Sequence, residues 1–408
     1  MTAARLIEAA VDQVGVRREL AVGVLQPRGE LAEAEAQLEA AVAASGDGAD
    51  PELPLELARV RLLAERWGPG MAALDAAEAA AEQRGRRDLV ARARSERGAA
   101  LAREGRTAEA ESLHREALAL LGDRADPAVR ADVLHRLGLV LHQQGRQQAA
   151  MELFAESLQL HRDRGDLVRQ ARALVTLGNT AVFLGRPDDG MAHYLEALEL
   201  HRRLGNRRSE GYVLGNIASI HTREGRSELA ERARSEALAI HRATGNRRHE
   251  GILLRGVALT AVEAGRLEEG RSVLLDSRAQ LVEARDALWI AHVDAALARV
   301  HRYLGELSQA DALLDEAEAA YDRMGARDIL CDAWLQRVNL ALARGHDPAD
   351  WVARIEAAAE GAPPNGIRGR ALASARRAQA AWLAGEPLLA GEPAEVIPAA
   401  LGSRLARS

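Results

Sequence analysis

Glycine recurs on a fixed lattice. Gly105, Gly145, Gly185, Gly225, Gly265, Gly305, Gly345 and Gly385 stand 40 residues apart without a slip. Gly29 and Gly68 extend the series at intervals of 39 and 37, which reads as small deletions in an array that begins near residue 10. A period of this length marks a stack of small units, each unable to bury its apolar face alone. About fifteen residues of helical pattern precede each lattice glycine and about seventeen follow it. The unit is a helical hairpin that turns at the glycine.

Small residues recur on the same lattice. Gly138, Gly178, Ala218, Ala258 and Ala298 share one place on the first helix; Ala110, Ala150, Gly190, Ala230, Gly270 and Ala310 share one on the second. Two helices that cross in contact need a missing side chain where their backbones meet. Between units, HRDRGD, HRRLGN, HRATGN and YDRMGA place Gly165, Gly205, Gly245 and Gly325 in phase. A glycine after a helix takes the left-handed conformation that closes the last turn, and Asp166, Asn206 and Asn246 then cap the next helix. Only 3% of residues are aromatic and 12 are proline, so Ala, Leu and Val carry the apolar mass of an all-α chain.

Leu137-Gly138-x-x-Leu141 with Ala150-x-x-x-Phe154 resembles the tetratricopeptide repeat, and Trp334 stands at the place of that family's tryptophan. The period of 40 in place of 34 is similar to that of Pins-type scaffolds and of the sensor arrays of bacterial signalling ATPases. The resemblance implies a right-handed superhelical solenoid of about nine hairpins. Arg97 and Arg337 depart from it, at a place that is normally apolar, and the last unit lacks a convincing second helix. The expected organisation is an array over 1–361, a linker and capping helix over 362–384, where APPNG interrupts the pattern, and a disordered proline-bearing tail over 385–408. The core of that tail, LLAGEPAEVIPAAL, could dock in the groove as a self-ligand.

Chemistry is narrowed by what is absent. All 54 basic residues are arginine, so a lysine-bearing phosphate loop, Schiff-base chemistry and an S-x-x-K nucleophile are excluded. There is no H-E-x-x-H and no G-x-S-x-G. The single cysteine, Cys331, excludes a disulfide framework and fits a reducing cytoplasm. His161, His201 and His241 fall 40 apart at the ends of second helices, too widely spread for one metal ion. His221 and His301 face the partner helix as hydrogen-bonded, partly buried rings. No catalytic role, cofactor or metal is expected. Glu8, Asp12 and Arg17 break the apolar run of the N-terminus, and no stretch matches a membrane span. A lysine-free, Ala- and Arg-rich, soluble cytoplasmic protein of a bacterium with a GC-rich genome is the expectation.

Binding is the remaining reading. The first helices should line a concave face, where Asn179 and Asn216 resemble the paired asparagines of tetratricopeptide clamps that hold a peptide backbone, with Asn339 repeating the Asn179 place. The cations of the carboxylate clamp are missing, because its places hold Val175, Ile252 and Gly256. Arg223, Arg255, Arg299 and Arg302 stand nearby instead, with Tyr212, His292 and Tyr303 on the same face. Residues 201–260 hold 12 Arg against 6 Glu, between more acidic ends, which favours an acidic or phosphorylated partner. Arg207, Arg208, Arg247 and Arg248 sit at helix starts, where a partner's anion or solvent must balance them. A net charge of −6 and few aromatics disfavour nucleic acid, and no basic amphipathic helix suits a membrane surface. Two functions stay open: a scaffold that binds a partner segment, and a peptide- or ligand-sensing module that acts in trans. The oligomeric state is open too.

Overall fold

The computed structural model describes residues 14–26, 30–45, 50–122, 126–361 and 367–385. The array start near residue 10, Gly29, the APPNG stretch and the tail from residue 386 lie outside them. Among the described residues every regular element is a helix. Most run for 17 residues, as Pro127–Gln143, Gln147–Asp163 and Leu167–Phe183 do. Each is about 25 Å long at ~1.5 Å per residue.

The turns explain this uniformity. Positive φ recurs not only at Gly105, Gly145, Gly185 and Gly225 but midway between them, at Gly85, Gly165 and Gly205, so the backbone phase is half the sequence period. At Gly145 the following N–H, that of Arg146, reaches back to the Leu141 carbonyl at 2.9 Å and closes the helix end. Two lattice places lack glycine and keep the geometry. Glu65 (φ 59°) and Arg285 (φ 55°) are left-handed, and Arg66 and Asp286 make the same backward bonds to Arg61 (2.8 Å) and Leu281 (3.1 Å). This corrects one expectation: Gly68 lies inside the helix Trp67–Gln83, and the turn belongs to Glu65, 40 residues before Gly105. That interval contains no deletion.

Caps follow the same lattice. Asp166 Oδ1 accepts from Arg169 N–H at 3.0 Å and Asn246 Oδ1 from His249 N–H at 3.4 Å. Asp126 and Asp286 cap Ala128 and Trp289 alike. Inside each hairpin a large residue of the second helix fills the notch of a glycine on the first. A Cβ on Gly138 would lie 2.5 Å from the Phe154 ring, and one on Gly178 would lie 2.5 Å from the Tyr194 ring. Leu137, Leu141 and Ala150 are buried around the first of these pairs.

Arg97 and Arg337, the two departures, are held by acids of the neighbouring second helix. Arg97 pairs with Asp75 at 2.7 Å and Glu78 at 3.5 Å, and Arg337 with Asp311, Asp315 and Glu318.

The chain divides into two compact units, 1–206 and 207–408. In each, consecutive helices pack in pairs and first helices of adjacent hairpins touch one another. In the first unit, Glu52–Leu63, Arg87–Arg103 and Pro127–Gln143 form such a wall; in the second, Arg247–Glu263, Ala287–Tyr303 and Arg327–Ala343 do. After Gly345 the second helix shortens to Ala349–Ala359, and Ile367–Leu383 packs on the apolar side of Arg327–Ala343 through Ala371, Ala375 and Ala378.

Left-handed backbone costs an L-residue roughly 1–2 kcal/mol. Glu65→Gly and Arg285→Gly are therefore each expected to raise the unfolding free energy by about 1 kcal/mol. Gly178→Ala should lower it by roughly 1–3 kcal/mol through overpacking against Tyr194. Urea denaturation of the three variants reads both signs.

Candidate functional site

The wall of the second unit carries the clearest charge imbalance. Arg255 and Arg299 stand on adjacent first helices, and neither makes an ion pair among the described residues. Arg255 lies 5.9 Å from the Trp289 ring centre and donates from Nε to the His292 carbonyl at 3.4 Å. Arg299 Nε is buried without a hydrogen-bond partner. Burial, and next the neighbouring charge of Arg299, push the Arg255 pKa below the usual arginine range. Asp332 keeps solvent access. Desolvation by the surrounding helices nevertheless raises its carboxyl pKa, against the pull of Arg255, Arg299 and Arg370. Tyr321 Oη lies 3.0 Å from His292 Nδ1.

The other expected residues divide. Asn179 is exposed, and its Oδ1 accepts from Tyr194 Oη–H at 2.6 Å. Asn216 is half-buried on Arg207–Arg223, and Tyr212, on the same helix, meets His249 edge-on at 5.4 Å. Asn179 and Asn216 belong to different units, so the clamp reading remains a proposal. Arg223 is exposed and makes no ion pair among the described residues. Arg302 is a correction. It is 1% exposed, with its guanidinium 4.6 Å from the Tyr303 ring centre. Tyr303 and Asn339 are buried as well, the latter on a helix against which four others pack.

The arginines at helix starts are neutralised within the fold. Arg207 pairs with Glu210, Arg247 with Glu250 and Glu283, and Arg248 with Asp286; Arg208 donates to the Thr244 carbonyl. The basic belt is thus largely consumed by internal contacts. His301 pairs with Glu306, whereas His221 Nδ1 has no partner. No group of three metal-ligating side chains occurs among the described residues.

A cavity that the sequence did not reveal lies on the wall of the first unit. It has a volume of about 390 Å³ and is lined by Leu62, Leu63, Leu139, Val140 and small alanines together with Arg59, Arg103, Arg136 and Glu96. Glu96 Oε1 accepts from Arg136 at 2.7 Å and Arg59 at 3.0 Å, and burial of Glu96 is outweighed by those charges, so its pKa falls below the usual range. Beyond this bar is a polar cavity of about 250 Å³ holding Arg92, Asp132 and Arg169. Asp132 Oδ1 there is buried without a hydrogen bond, 3.4 Å from Arg169 Nε. The signal was in the lattice: His114 stands where later units have Phe154 and Tyr194, and Ala99 where they have Leu139 and Asn179.

Comparison with known proteins finds the repeat in part of the chain. Residues 89–163 and 169–243 match the tetratricopeptide repeat model. No curated protein matches the chain. A signal transduction ATPase with numerous domains and a tetratricopeptide repeat sensor, from Pyrococcus horikoshii, is similar over 90% of this chain at 14% identity and a TM-score of 0.57, and this chain spans 53% of its length. A Rap protein complexed with competence and sporulation factor is similar over 98% of this chain and 99% of its own, at 14% identity and a TM-score of 0.57. Aspartyl phosphate phosphatase F from Bacillus subtilis is similar over 90% and 96%, at 11% identity and a TM-score of 0.58. At these identities the likeness is one of fold. No described helix is long and apolar enough to cross a membrane.

Burial lowers His114, His135, His241 and His292 to about 4, with Arg136, Arg172, His249 and Arg255 as the respective next causes. The unfolded chain takes up those protons below about 6.5, before the folded chain does. Stability present at neutral pH is therefore lost as pH falls from about 6.5 toward 4, by up to roughly 1.4 kcal/mol per pH unit for each such histidine. Urea midpoints at pH 7 and pH 5 should show the loss. His114→Phe should remove one share of it.

Proposed function

We propose that this chain, a tetratricopeptide-repeat protein, acts by recognition and without chemistry of its own, binding an extended, acidic segment of a partner protein along its first-helix face. The observation that carries this reading is the Arg255–Arg299 pair, two half-buried arginines on adjacent first helices that feel each other's charge and make no ion pair among the described residues. Like charges held close together raise each other's energy, and an arriving carboxylate relieves both. Arginine's planar fork of donors suits that group. Asn216, Tyr212 and Arg223 line the preceding first helix, where an amide that both donates and accepts can hold a main chain. Asn179 offers the same function on the first unit.

The fold-level neighbours support a recognition role, since one is a Rap protein complexed with competence and sporulation factor and another carries a tetratricopeptide repeat sensor. A second reading, a ligand- or peptide-sensing module that acts in trans on a signalling partner, is favoured by the cavity of the first unit.

A displayed library of extended peptides, selected on the purified full chain, tests the main reading. Enrichment of Asp- and Glu-bearing sequences is expected, with affinity falling as salt rises. Arg255→Ala and Arg299→Ala should each weaken the selected peptide about tenfold, and Asn216→Ala by less. Selection of uncharged sequences, or full affinity in both arginine variants, would overturn it.

A further inference from the structure

The ring that fills the glycine notch has a tip, and in three consecutive hairpins of the first unit that tip meets different chemistry. Phe154 lies against Gly138, and the residue fifteen positions before it is Leu139, apolar beside apolar. Tyr194 lies against Gly178, and the residue fifteen positions before it is Asn179, which accepts the phenol's proton at 2.6 Å. His114 lies against Gly98, where a Cβ would sit 3.0 Å from its Nε2, and the residue fifteen positions before it is Ala99. A polar tip is present here, and the side chain that should answer it is cut back to a methyl group.

The missing side chain is what opens the cavity, since Ala99 lines it with His114. His114 is fully buried and its Nε2 has no hydrogen-bond partner. Arg136 donates from Nη1 to Ser95 Oγ at 3.4 Å, and Ser95 Oγ lies 3.2 Å from His114 Nδ1. With the Ser95 proton directed to Nδ1, Nε2 of a neutral ring carries the hydrogen and is a donor that lacks an acceptor. A buried donor left unmatched costs roughly 1–3 kcal/mol. The lining also holds Arg59, Arg103 and Arg136 against one carboxylate, that of Glu96, and Arg103 makes no ion pair among the described residues.

We propose that this cavity binds a carboxylate carried on an apolar body. An oxygen of the ligand accepts from His114 Nε2–H, its charge faces Arg59, Arg103 and Arg136, and its apolar part lies on Leu62, Leu139 and Val140. Two sources share this chemistry: a free medium-chain acid, and the C-terminal residue of a peptide that ends in a large aliphatic side chain. The site is independent of the Arg255–Arg299 pair.

Calorimetric titration of the full chain tests it with octanoate and with an acetylated tripeptide ending in free leucine, each against its carboxamide. At least one acid is expected to bind and its amide to bind at least tenfold more weakly; which acid binds identifies the source. His114→Phe places in this notch the ring that Phe154 already puts against Gly138, so the variant keeps the apolar packing and loses Nε2 together with the Ser95 contact of Nδ1. It should retain the helical circular-dichroism spectrum and lose affinity at least tenfold, as should Arg103→Gln. Nitrogen-15 NMR of the histidines should find the proton on Nε2 and shift that signal on binding. The paired variant Arg255→Ala/Arg299→Ala should bind the acid unchanged, which separates this site from the partner face. No binding of either acid at millimolar concentration, equal binding of the amides, full affinity in His114→Phe, or a bare Nε2 would each overturn the proposal.

Discussion

At Gly145, Gly165, Gly185 and their lattice mates through Gly325 the backbone enters the left-handed region, and there one helix stops and the next begins after a three-residue turn. Because these turns are alike and most helices have the same length, equivalent residues return to equivalent surroundings. The notch of Gly138 receives Phe154 and that of Gly178 receives Tyr194 for this reason, and so do the caps at Asp126, Asp166, Asn246 and Asp286. Glu65 and Arg285 show the order of causes. There the chain takes the strained conformation without glycine's help, so the packing of neighbouring helices holds the turn against local preference.

The site chemistry is a by-product of the same regularity. First-helix places that face away from the second helices form a wall, and their identities vary while their positions do not. In the second unit that wall gathers two arginines without a paired acid, and in the first it gathers three arginines around one glutamate and an unanswered imidazole.

Much of the fold was legible because the period of glycine and small residues is a direct image of close helix approach. The N-terminal turn at Glu65 was not, because a left-handed turn without glycine leaves no mark in the sequence, and Gly68 stands three residues away. The first-helix positions of Arg255 and Arg299 were legible by counting along the lattice. The burial of Arg302 was not, because its lattice mates Val182, Thr222 and Val262 range from exposed to buried. The cavity at His114 escaped because its signal is a pair of departures, histidine for a large ring and alanine for a long side chain, that mean something only when read together.

Helices joined by identical turns also act as a gearing. Deleting one residue from a 17-residue helix such as Leu167–Phe183 would rotate everything after it by about 100° relative to what precedes it, turning an inward face sideways. Substitution has no such reach, as the non-glycine turns at Glu65 and Arg285 demonstrate. A chain built this way can exchange most of its letters and still keep its count, so its length records the architecture more faithfully than its composition does.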